Sequence, residues 1–302
     1  MDKGDLKPQV RLYPIIARAA NRAVVFRRGP SKRVQLVLWH MEKDTFEEGQ
    51  WFKGRIYERR CDLSPSGKLL IYFAANYKTP YYSWTAVSKP PFLTALALWP
   101  KGDCWGGGGL FEREQKIRLN HGAHEMTLAD GFAVPPRVSV ERLGSYAGRG
   151  EDDPIMHLRL TRDGWKNEQS GEAIVHHEGG PVFVEYKPAI VYVKKHGPTR
   201  GRYELQMHIL GIRERDGPWY ILDHRVKDTK TGSTIMLERT EWADWCHSGD
   251  LLFAKEGRLF RLGFTGEGVL HELKTAKLII DLSERTFTAL AAPAEAKQWF
   301  GK

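Results

Sequence analysis

Residues 61–70 read CDLSPSGKLL and residues 243–252 read ADWCHSGDLL. Both stretches fit the pattern x-Asp-Φ-x-x-Ser-Gly-x-Leu-Leu, in which Φ is an apolar residue, and the spacing is identical. An Asp and a Ser-Gly pair between two β-prone runs are typical of a tight turn that joins two strands. An apolar run follows each turn, at Leu69–Ala75 in the first copy and at Leu251–Ala254 in the second. The repeat therefore predicts strand-turn-strand units.

Other breaker residues between β-prone runs predict further hairpins. Gly29-Pro30-Ser31 separates Ala23–Phe26 from Val34–Trp39. Arg-Asp-Gly with an aromatic residue after it occurs twice, in Leu158–Trp165 and in Ile212–Trp219. Asp-Gly between alternating runs is a strong hairpin signal.

The composition favours the same class of fold. The chain has 302 residues with 30 Gly, 16 Pro, 10 Trp, 11 Tyr and 13 Phe, a mixture that suits short aromatic strands and many turns better than long helices. Helix is expected to be minor and to lie near the C-terminus at Pro293–Trp299, where Pro is tolerated in the first turn. The class predicted is all-β.

The first copy of the repeat also resembles a known family pattern. Leu63–Ala74 is similar to the SP-D-G-K-x-L signature of WD40-like propeller blades of the TolB type, with Ser66 in place of the usual Asp. The second copy, which begins at Trp242–Trp245, lacks the proline. The resemblance implies a β-propeller superfamily and brings no catalytic residues with it.

A blade of four strands needs about 40–50 residues, so the length predicts a single domain over residues 1–302 with five or six irregular blades. The β-rich runs Val10–Ile16 and Ala276–Leu282 are candidates for closing the ring. The alternative is a β-sandwich or two smaller β domains, because the predicted loops Gly144–Pro154 and Lys166–Gly180 interrupt the period.

The distribution of apolar residues and of cysteines excludes several classes of protein. No apolar run approaches the roughly 20 residues that cross a bilayer, and residues 1–10 are polar, so no membrane partner or export signal is expected. Cys61, Cys104 and Cys246 are far apart and odd in number, which argues against a disulfide framework or a CxxC metal site. A cytoplasmic protein with reduced thiols is predicted.

No pattern in the chain points to a particular chemistry. Asp62 and Asp244 share a place in the repeat, which indicates acceptors of backbone N–H bonds rather than catalytic acids. His121 and His124 are three apart with a glycine between them, which is not the spacing of a zincin helix. The four glycines Gly106–Gly109 lack the lysine of a phosphate loop, so a flexible or bulged turn is expected. No catalytic residue, metal or cofactor is predicted.

Two groups of residues are candidates for binding a partner. The net charge is +9, and residues 1–33 hold nine basic residues and two acidic ones. At the tip of the first hairpin this charge comes from Arg27, Arg28, Lys32 and Arg33, which could attract an acidic partner or nucleic acid. A predicted aromatic loop contributes Tyr81, Tyr82 and Trp84, which could anchor an interface.

The function that the sequence favours is a non-enzymatic interaction module, a rigid propeller platform that binds another macromolecule, with a protein as the favoured partner. One alternative is a propeller hydrolase or lyase that acts on a carbohydrate through converging carboxylates such as Asp62, Asp103, Asp163, Asp216 and Asp244. Another is nucleic-acid binding through the basic N-terminal hairpin.

Overall fold

The computed structural model describes residues 10–29, 32–176, 182–214, 218–263 and 275–300. Within these ranges strands form five separate sheets, and helix is confined to one α-helix and short 3-10 segments. The all-β class predicted from the sequence is confirmed. The chain divides into two compact units, residues 1–159 with 284–302 and residues 160–283. A single domain over residues 1–302 stays a prediction.

The first sheet is an antiparallel meander in chain order. Its strands are β1 (Arg11–Ile16), β2 (Arg22–Arg28), β3 (Arg33–His40) and β4 (Thr45–Lys53). β2 and β3 pair with Phe26 opposite Leu36, and the N–H of Gly29 donates to the carbonyl of Arg33. The predicted first hairpin is therefore confirmed. Pro30 and Ser31 of its turn lie outside the described residues.

The second and third sheets complete the strands of the first unit. The second contains β5 (Arg55–Ile56), β6 (Asp62–Leu63), β7 (Leu70–Ala75), β8 (Ser83–Ser88) and β9 (Ala95–Pro100). The third contains β10 (Gly109–Arg113), β11 (Lys116–Leu119) and β12 (Ser139–Arg142). Every pair in the two sheets is antiparallel except β11 with β12, which is parallel.

The second sheet is buried on both faces, which explains why β7 is a continuous apolar run. Leu70 and Tyr72 of β7 belong to a core cluster shared with Phe26 of the first sheet. Ile71 belongs to another cluster, shared with Phe111 of the third sheet. Since successive side chains of a strand point to opposite faces, the second sheet packs between the first and the third.

In the second unit the described residues form two antiparallel sheets. The fourth sheet contains β13 (Trp165–Gln169), β14 (Glu172–Val175), β15 (Val182–Lys195), β16 (Tyr203–Glu214), β17 (Tyr220–Asp228) and β18 (Thr234–Leu237). The fifth contains β19 (Trp242–Trp245), β20 (Leu251–Lys255), β21 (Arg258–Leu262) and β22 (Lys277–Asp281). Leu205 and Leu222 of the fourth sheet share one core cluster with Leu251 and Phe253 of the fifth.

Both copies of the repeat form the predicted hairpin. The N–H of Gly67 donates to the carbonyl of Ser64 (2.8 Å), and the N–H of Gly249 donates to the carbonyl of Cys246 (2.9 Å). Both glycines have a positive φ, +72° and +93°, which explains why glycine stands at this position of the turn. The pairing of the two strands is shifted by one residue between the copies, because Asp62 pairs with Ile71 whereas Asp244 pairs with Leu252.

The sequence misplaces two elements. Leu158–Trp165 is not a hairpin: Ile155–Arg162 is the α-helix α1, and β13 begins only at Trp165. The predicted loop Lys166–Gly180 contains most of β13 and all of β14, and its residues 177–180 lie outside the described residues. The predicted C-terminal helix is a 3-10 helix of four residues, Ala294–Lys297, with Pro293 at its N-cap.

Several other predicted elements are confirmed. The residues that flank the second Asp-Gly lie in the paired strands β16 and β17, although Asp216 and Gly217 themselves lie outside the described residues. Residues 144–154 form no strand or helix, as expected of a loop. The terminal runs are strands β1 and β22. That these two strands close a ring stays a prediction.

Candidate functional site

Arg27, a predicted binding residue of the first hairpin, lies inside the protein. Its side chain is 1% exposed, and its guanidinium stacks over the ring of Trp51 with 5.2 Å between Cζ and the ring centroid. It also donates to the carbonyl of Gly29. Burial lowers the pKa of Arg27, and the nearby Arg285 lowers it further. Arg27 therefore stabilises the hairpin from within.

The other three basic residues of the hairpin are more accessible. Arg28 is half-buried and its Nη1 lies 3.4 Å from Oε1 of Glu58. Lys32 and Arg33 are exposed, and the guanidinium of Arg33 lies 5.0 Å from the ring centroid of Phe287. The hairpin thus presents Lys32 and Arg33 to solvent, while the charge of Arg28 is partly compensated.

The predicted aromatic residues also differ in their exposure to solvent. Tyr81 packs against the core shared by the first two sheets. Trp84 makes an edge-to-face contact with Phe52, with 5.7 Å between ring centroids. Tyr82, by contrast, is 42% exposed. Of the three, Tyr82 presents its ring most openly to solvent.

Tyr82 forms an exposed pair with Tyr77 in the loop between β7 and β8. Their rings meet edge to face at 5.3 Å between centroids. Both residues have a left-handed backbone, with φ of +60° for Tyr77 and +62° for Tyr82. This conformation costs a bulky residue roughly 1 kcal/mol or more and is concentrated at functional sites. The carbonyl of Tyr82 accepts the N–H groups of both Asn76 and Tyr77, which holds the loop in this form.

Tyr57 connects this loop to the loop between β9 and β10. Its hydroxyl lies 3.2 Å from the hydroxyl of Tyr77, and Cys104 packs against the small apolar cluster that contains Tyr57. Burial is the largest cause of a strongly raised pKa of Tyr57, so this phenol stays protonated. Trp105 follows Cys104 directly, and its side chain is 54% exposed.

A third loop, residues 143–154, touches the second through its glycines. The N–H of Gly106 donates to the carbonyl of Gly150 (2.6 Å). Tyr146 in this third loop is 81% exposed. The hydroxyl of Ser83, next to Tyr82, donates to the carbonyl of Asp103 in the second loop. The second loop is thus bonded both to the end of the first loop and to the third, and the three loops of the first unit carry four exposed rings. We call this set the aromatic loop surface: Tyr77, Tyr82, Trp105 and Tyr146.

Arg60 holds the second and third loops in place through hydrogen bonds from its buried guanidinium. It is 1% exposed, and its Nε donates to Oδ1 of Asp152 at 2.9 Å. Its Nη1 donates to the carbonyls of Cys104 (2.7 Å) and Gly106 (2.8 Å). The same guanidinium stacks over the ring of Tyr57 at 4.5 Å. One buried cation thus joins the two loops and the ring that contacts Tyr77.

The glycine-rich segment, for which the sequence suggested a flexible or bulged turn, is buried. Gly106, Gly107 and Gly108 have φ between +81° and +83°, and all four residues of Gly106–Gly109 are buried. A Cβ on Gly107 would overlap the ring of Phe73, and one on Gly108 would overlap the backbone of Arg60. Glycine is therefore required here by close packing, and the segment is a rigid base for Trp105.

His121 supports the same segment through ordered hydrogen bonds. Its Nδ1 lies 3.1 Å from the carbonyl of Glu125, so Nδ1 carries the proton. Its Nε2 therefore accepts the hydroxyl of Thr85 (2.7 Å), and Oγ1 of Thr85 in turn accepts the N–H of Gly108 at 2.8 Å. Burial lowers the pKa of His121 to about 4. His121 is thus a neutral structural histidine.

The two aspartates of the repeat accept backbone N–H bonds, as the sequence predicted. Oδ2 of the buried Asp62 accepts the N–H of Phe111 in β10 at 2.7 Å, which ties the second sheet to the third. Oδ1 of Asp244 accepts the N–H of Trp245 at 2.7 Å and also Nζ of Lys194 in β15 at 2.6 Å. Burial nevertheless raises the pKa of Asp244. In both copies the aspartate connects its hairpin to a neighbouring sheet.

The remaining candidates for chemistry have structural partners. Asp103 accepts from Nζ of Lys101 (2.7 Å), and Asp163 pairs with Arg162 (2.8 Å). No three His, Cys, Asp or Glu side chains converge as metal ligands within the part of the chain that the structure describes. A helix of the length and apolar character needed to cross a membrane is likewise not found in those residues.

Trp105 and Tyr146 belong to the aromatic loop surface but were not among the residues that the sequence indicated for binding. Both have a signal in the sequence. Trp105 directly precedes four glycines, and Tyr146 stands between Gly144 and Gly148. A large aromatic residue inside a glycine-rich loop has few neighbours along the chain to cover it, which favours exposure.

The comparisons with known proteins leave the resemblance to WD40-like blades as a prediction. The sequence matches no protein-family model, and no curated protein is significantly similar to it.

Proposed function

We propose that this chain is a non-enzymatic interaction module that binds a protein partner through the aromatic loop surface. The observation that carries the proposal is the exposure of four rings on three loops, of which the second is bonded to both of the others. Tyr and Trp offer a large contact area for little loss of conformational freedom, and they are enriched where binding energy concentrates.

The rigidity of the loops supports the proposal. Arg60, the buried glycines and His121 hold the backbone beneath Trp105 in a fixed form. A surface that is ordered before binding avoids the entropy cost of ordering it in the complex. Structural order around an exposed aromatic group is thus an arrangement suited to recognition.

The charges near the rings favour a protein over nucleic acid as the partner. Lys78 and Arg149 are exposed in these three loops, and so are Asp103 and Glu151. The loops therefore present charges of both signs to solvent. Nucleic-acid binding calls for a continuous basic face that neutralises phosphates. Lys32 and Arg33 of the first hairpin could still attract nucleic acid, which makes this alternative an explicit outcome of the test.

Affinity capture by the tagged full chain from the native cell lysate tests the proposal. We expect a bound protein that survives nuclease treatment and is reduced at least tenfold by the double variant Tyr82→Ser, Trp105→Ser, since a central aromatic contact contributes about 1–2 kcal/mol or more. The variant Leu278→Ser is the control, because Leu278 is an exposed apolar residue outside the loops. Binding that nuclease abolishes would instead favour the basic hairpin.

The propeller itself is a further part of the proposal. The first three sheets follow one another along the chain and pack in that order, and the fourth sheet shares a core cluster with the fifth. Consecutive sheets that bury one another's faces are what an irregular propeller of five or six blades requires. A cytoplasmic location is proposed with it.

A further inference from the structure

The first unit contains a groove that the aromatic loop surface does not use. Its volume is about 530 Å³, within the range of roughly 300–1,000 Å³ that is typical of small-molecule sites. Apolar and aromatic groups form much of its wall. These are Leu69, Pro135, Pro136, Val138, Trp299 and Phe300.

Glu114 places a fixed negative charge in this groove. Its Oε1 accepts the hydroxyls of Ser64 (3.0 Å) and Ser66 (2.6 Å), and its Oε2 accepts the N–H of Ser66 (2.9 Å). Three hydrogen bonds from one turn fix the direction of the carboxylate. The carboxylate is therefore held ready for a cation without having to be ordered first.

Arg137 places a positive charge in the same groove. Its Nη2 donates to the carbonyl of Phe300, and its side chain is otherwise exposed. The N–H of Ser139 donates to the carbonyl of Gln115 at 2.9 Å, which brings the segment that contains Glu114 beside the one that contains Arg137. Within the described ranges these two opposite charges form no ion pair with each other, although both line the groove.

Trp299 and Phe300 supply the aromatic part of the wall and are themselves anchored. Nε1 of Trp299 donates to the carbonyl of Ala133 at 3.0 Å, and Nζ of Lys89 lies 4.1 Å from the ring centroid of Phe300. An apolar body would bury area against these rings and against Val138, while the two charges would fix its orientation.

From this combination we infer that the groove binds a small zwitterion with an apolar side chain, namely an α-amino acid or a short peptide. The ammonium group pairs with Glu114, the carboxylate pairs with Arg137, and the side chain packs against Trp299 and the prolines. A ligand with only one charge would form only one of the two ion pairs.

Calorimetric titration of the full chain with L-phenylalanine tests this inference. We expect saturable binding that is at least tenfold weaker for phenethylamine, which lacks the carboxylate, and for 3-phenylpropionate, which lacks the ammonium group. The dipeptide leucyl-phenylalanine separates the two sources of the ligand. Tighter binding of the dipeptide assigns the groove to peptides, and tighter binding of phenylalanine assigns it to free amino acids.

Two variants connect binding to the groove. Glu114→Gln and Arg137→Gln should each weaken binding of the tighter ligand at least tenfold. The control is Arg113→Gln, because Arg113 is exposed and does not line the groove. Arg137→Gln keeps the inference testable if Glu114→Gln disturbs the turn at Ser64–Ser66. Absence of saturable binding of both zwitterions, equal binding of phenethylamine, or equal effects of all three variants would overturn it.

Discussion

Arg60 joins several segments of the first unit through one buried guanidinium. It donates to Asp152 and to the carbonyls of Cys104 and Gly106 while its face stacks on Tyr57. An exposed arginine with one carboxylate partner contributes little, because solvent screens the pair. Arg60 is different because its removal leaves Asp152 and two carbonyls without a donor they now use.

We therefore expect Arg60→Met to lower the free energy of unfolding by about 3–5 kcal/mol, the cost of breaking a buried charged pair. Urea denaturation followed by tryptophan fluorescence measures this. Arg28→Met is the matched control, because Arg28 is half-buried and pairs with Glu58 alone at 3.4 Å. Its loss should cost less than about 1 kcal/mol. Equal losses for the two variants would contradict the role assigned to Arg60.

His121 makes the stability of the first unit depend on pH. Its folded pKa of about 4 lies below the ordinary value of 6.5, so the unfolded chain binds the proton more readily than the folded one. The stability is therefore complete above pH 6.5 and falls as the pH drops from 6.5 toward 4. The full loss from this one group amounts to about 3 kcal/mol.

The measurement is the free energy of unfolding at pH 7 and at pH 5 for the protein and for His121→Gln. We expect the difference between the two pH values to shrink by about 2 kcal/mol in the variant, since glutamine does not titrate. His124→Gln serves as the control because His124 is 87% exposed. An unchanged difference in His121→Gln would show that His121 is not buried as a neutral group.

At the scale of single residues the sequence could predict chemistry but not exposure. The sequence indicates that Asp62 and Asp244 accept backbone N–H bonds, but it does not indicate that the N–H bound by Asp62 is that of Phe111 in another sheet. That Arg27 is buried while Arg33 is exposed depends on Trp51 and Phe287, which lie far along the chain. Contacts between distant segments decide such cases, and a single sequence does not record them.

Among the elements, Gly106–Gly109 gives the clearest test of packing. We expect Gly107→Ala to cost at least about 2–3 kcal/mol, because the new methyl group would overlap the Phe73 ring and the backbone would keep a left-handed φ. Gly102→Ala is the matched control: its φ of +80° is equally left-handed, but open space surrounds it. That control should cost only about 1 kcal/mol. Thermal unfolding monitored by circular dichroism compares the two, and equal losses would contradict the proposed packing.

The elements that the sequence predicts correctly are those with local signals. Gly67 and Gly249 mark turns whose geometry is set within four residues. The helix α1 was missed although a signal was present: Asp152-Asp153-Pro154 directly before it is a typical helix start, and Oδ1 of Asp153 accepts the N–H of His157 at 3.2 Å. The alternating pattern of Leu158–Trp165 favours a hairpin instead, and the two signals conflict over the same residues.

For the whole molecule, the proposed propeller predicts compactness in solution. A single closed body of this length should have a radius of gyration of about 19 Å. Small-angle X-ray scattering over a concentration series measures it. A value several ångströms larger, with two maxima in the distribution of interatomic distances, would contradict one closed body and favour two smaller β domains.

Some strand pairs, such as β2 with β3 and β16 with β17, could be predicted from the turn between them, but the division of the chain into two units could not. Its limits, Arg159 and Glu284, follow from which core each strand joins. The exposed apolar side chain of Leu278 in β22 illustrates the difficulty, because its strand pattern alone would predict burial.

The central claim is that the aromatic loop surface contacts a protein, and site-specific photo-crosslinking in the native cell tests it most directly. A photoreactive phenylalanine analogue would replace Tyr82 in one variant and Trp105 in a second, and an exposed residue of the β3–β4 turn, Lys43, in a control. We predict one discrete protein adduct from positions 82 and 105 and none from position 43. Adducts that are absent from both loop positions, or that form equally at position 43, would contradict the proposed function.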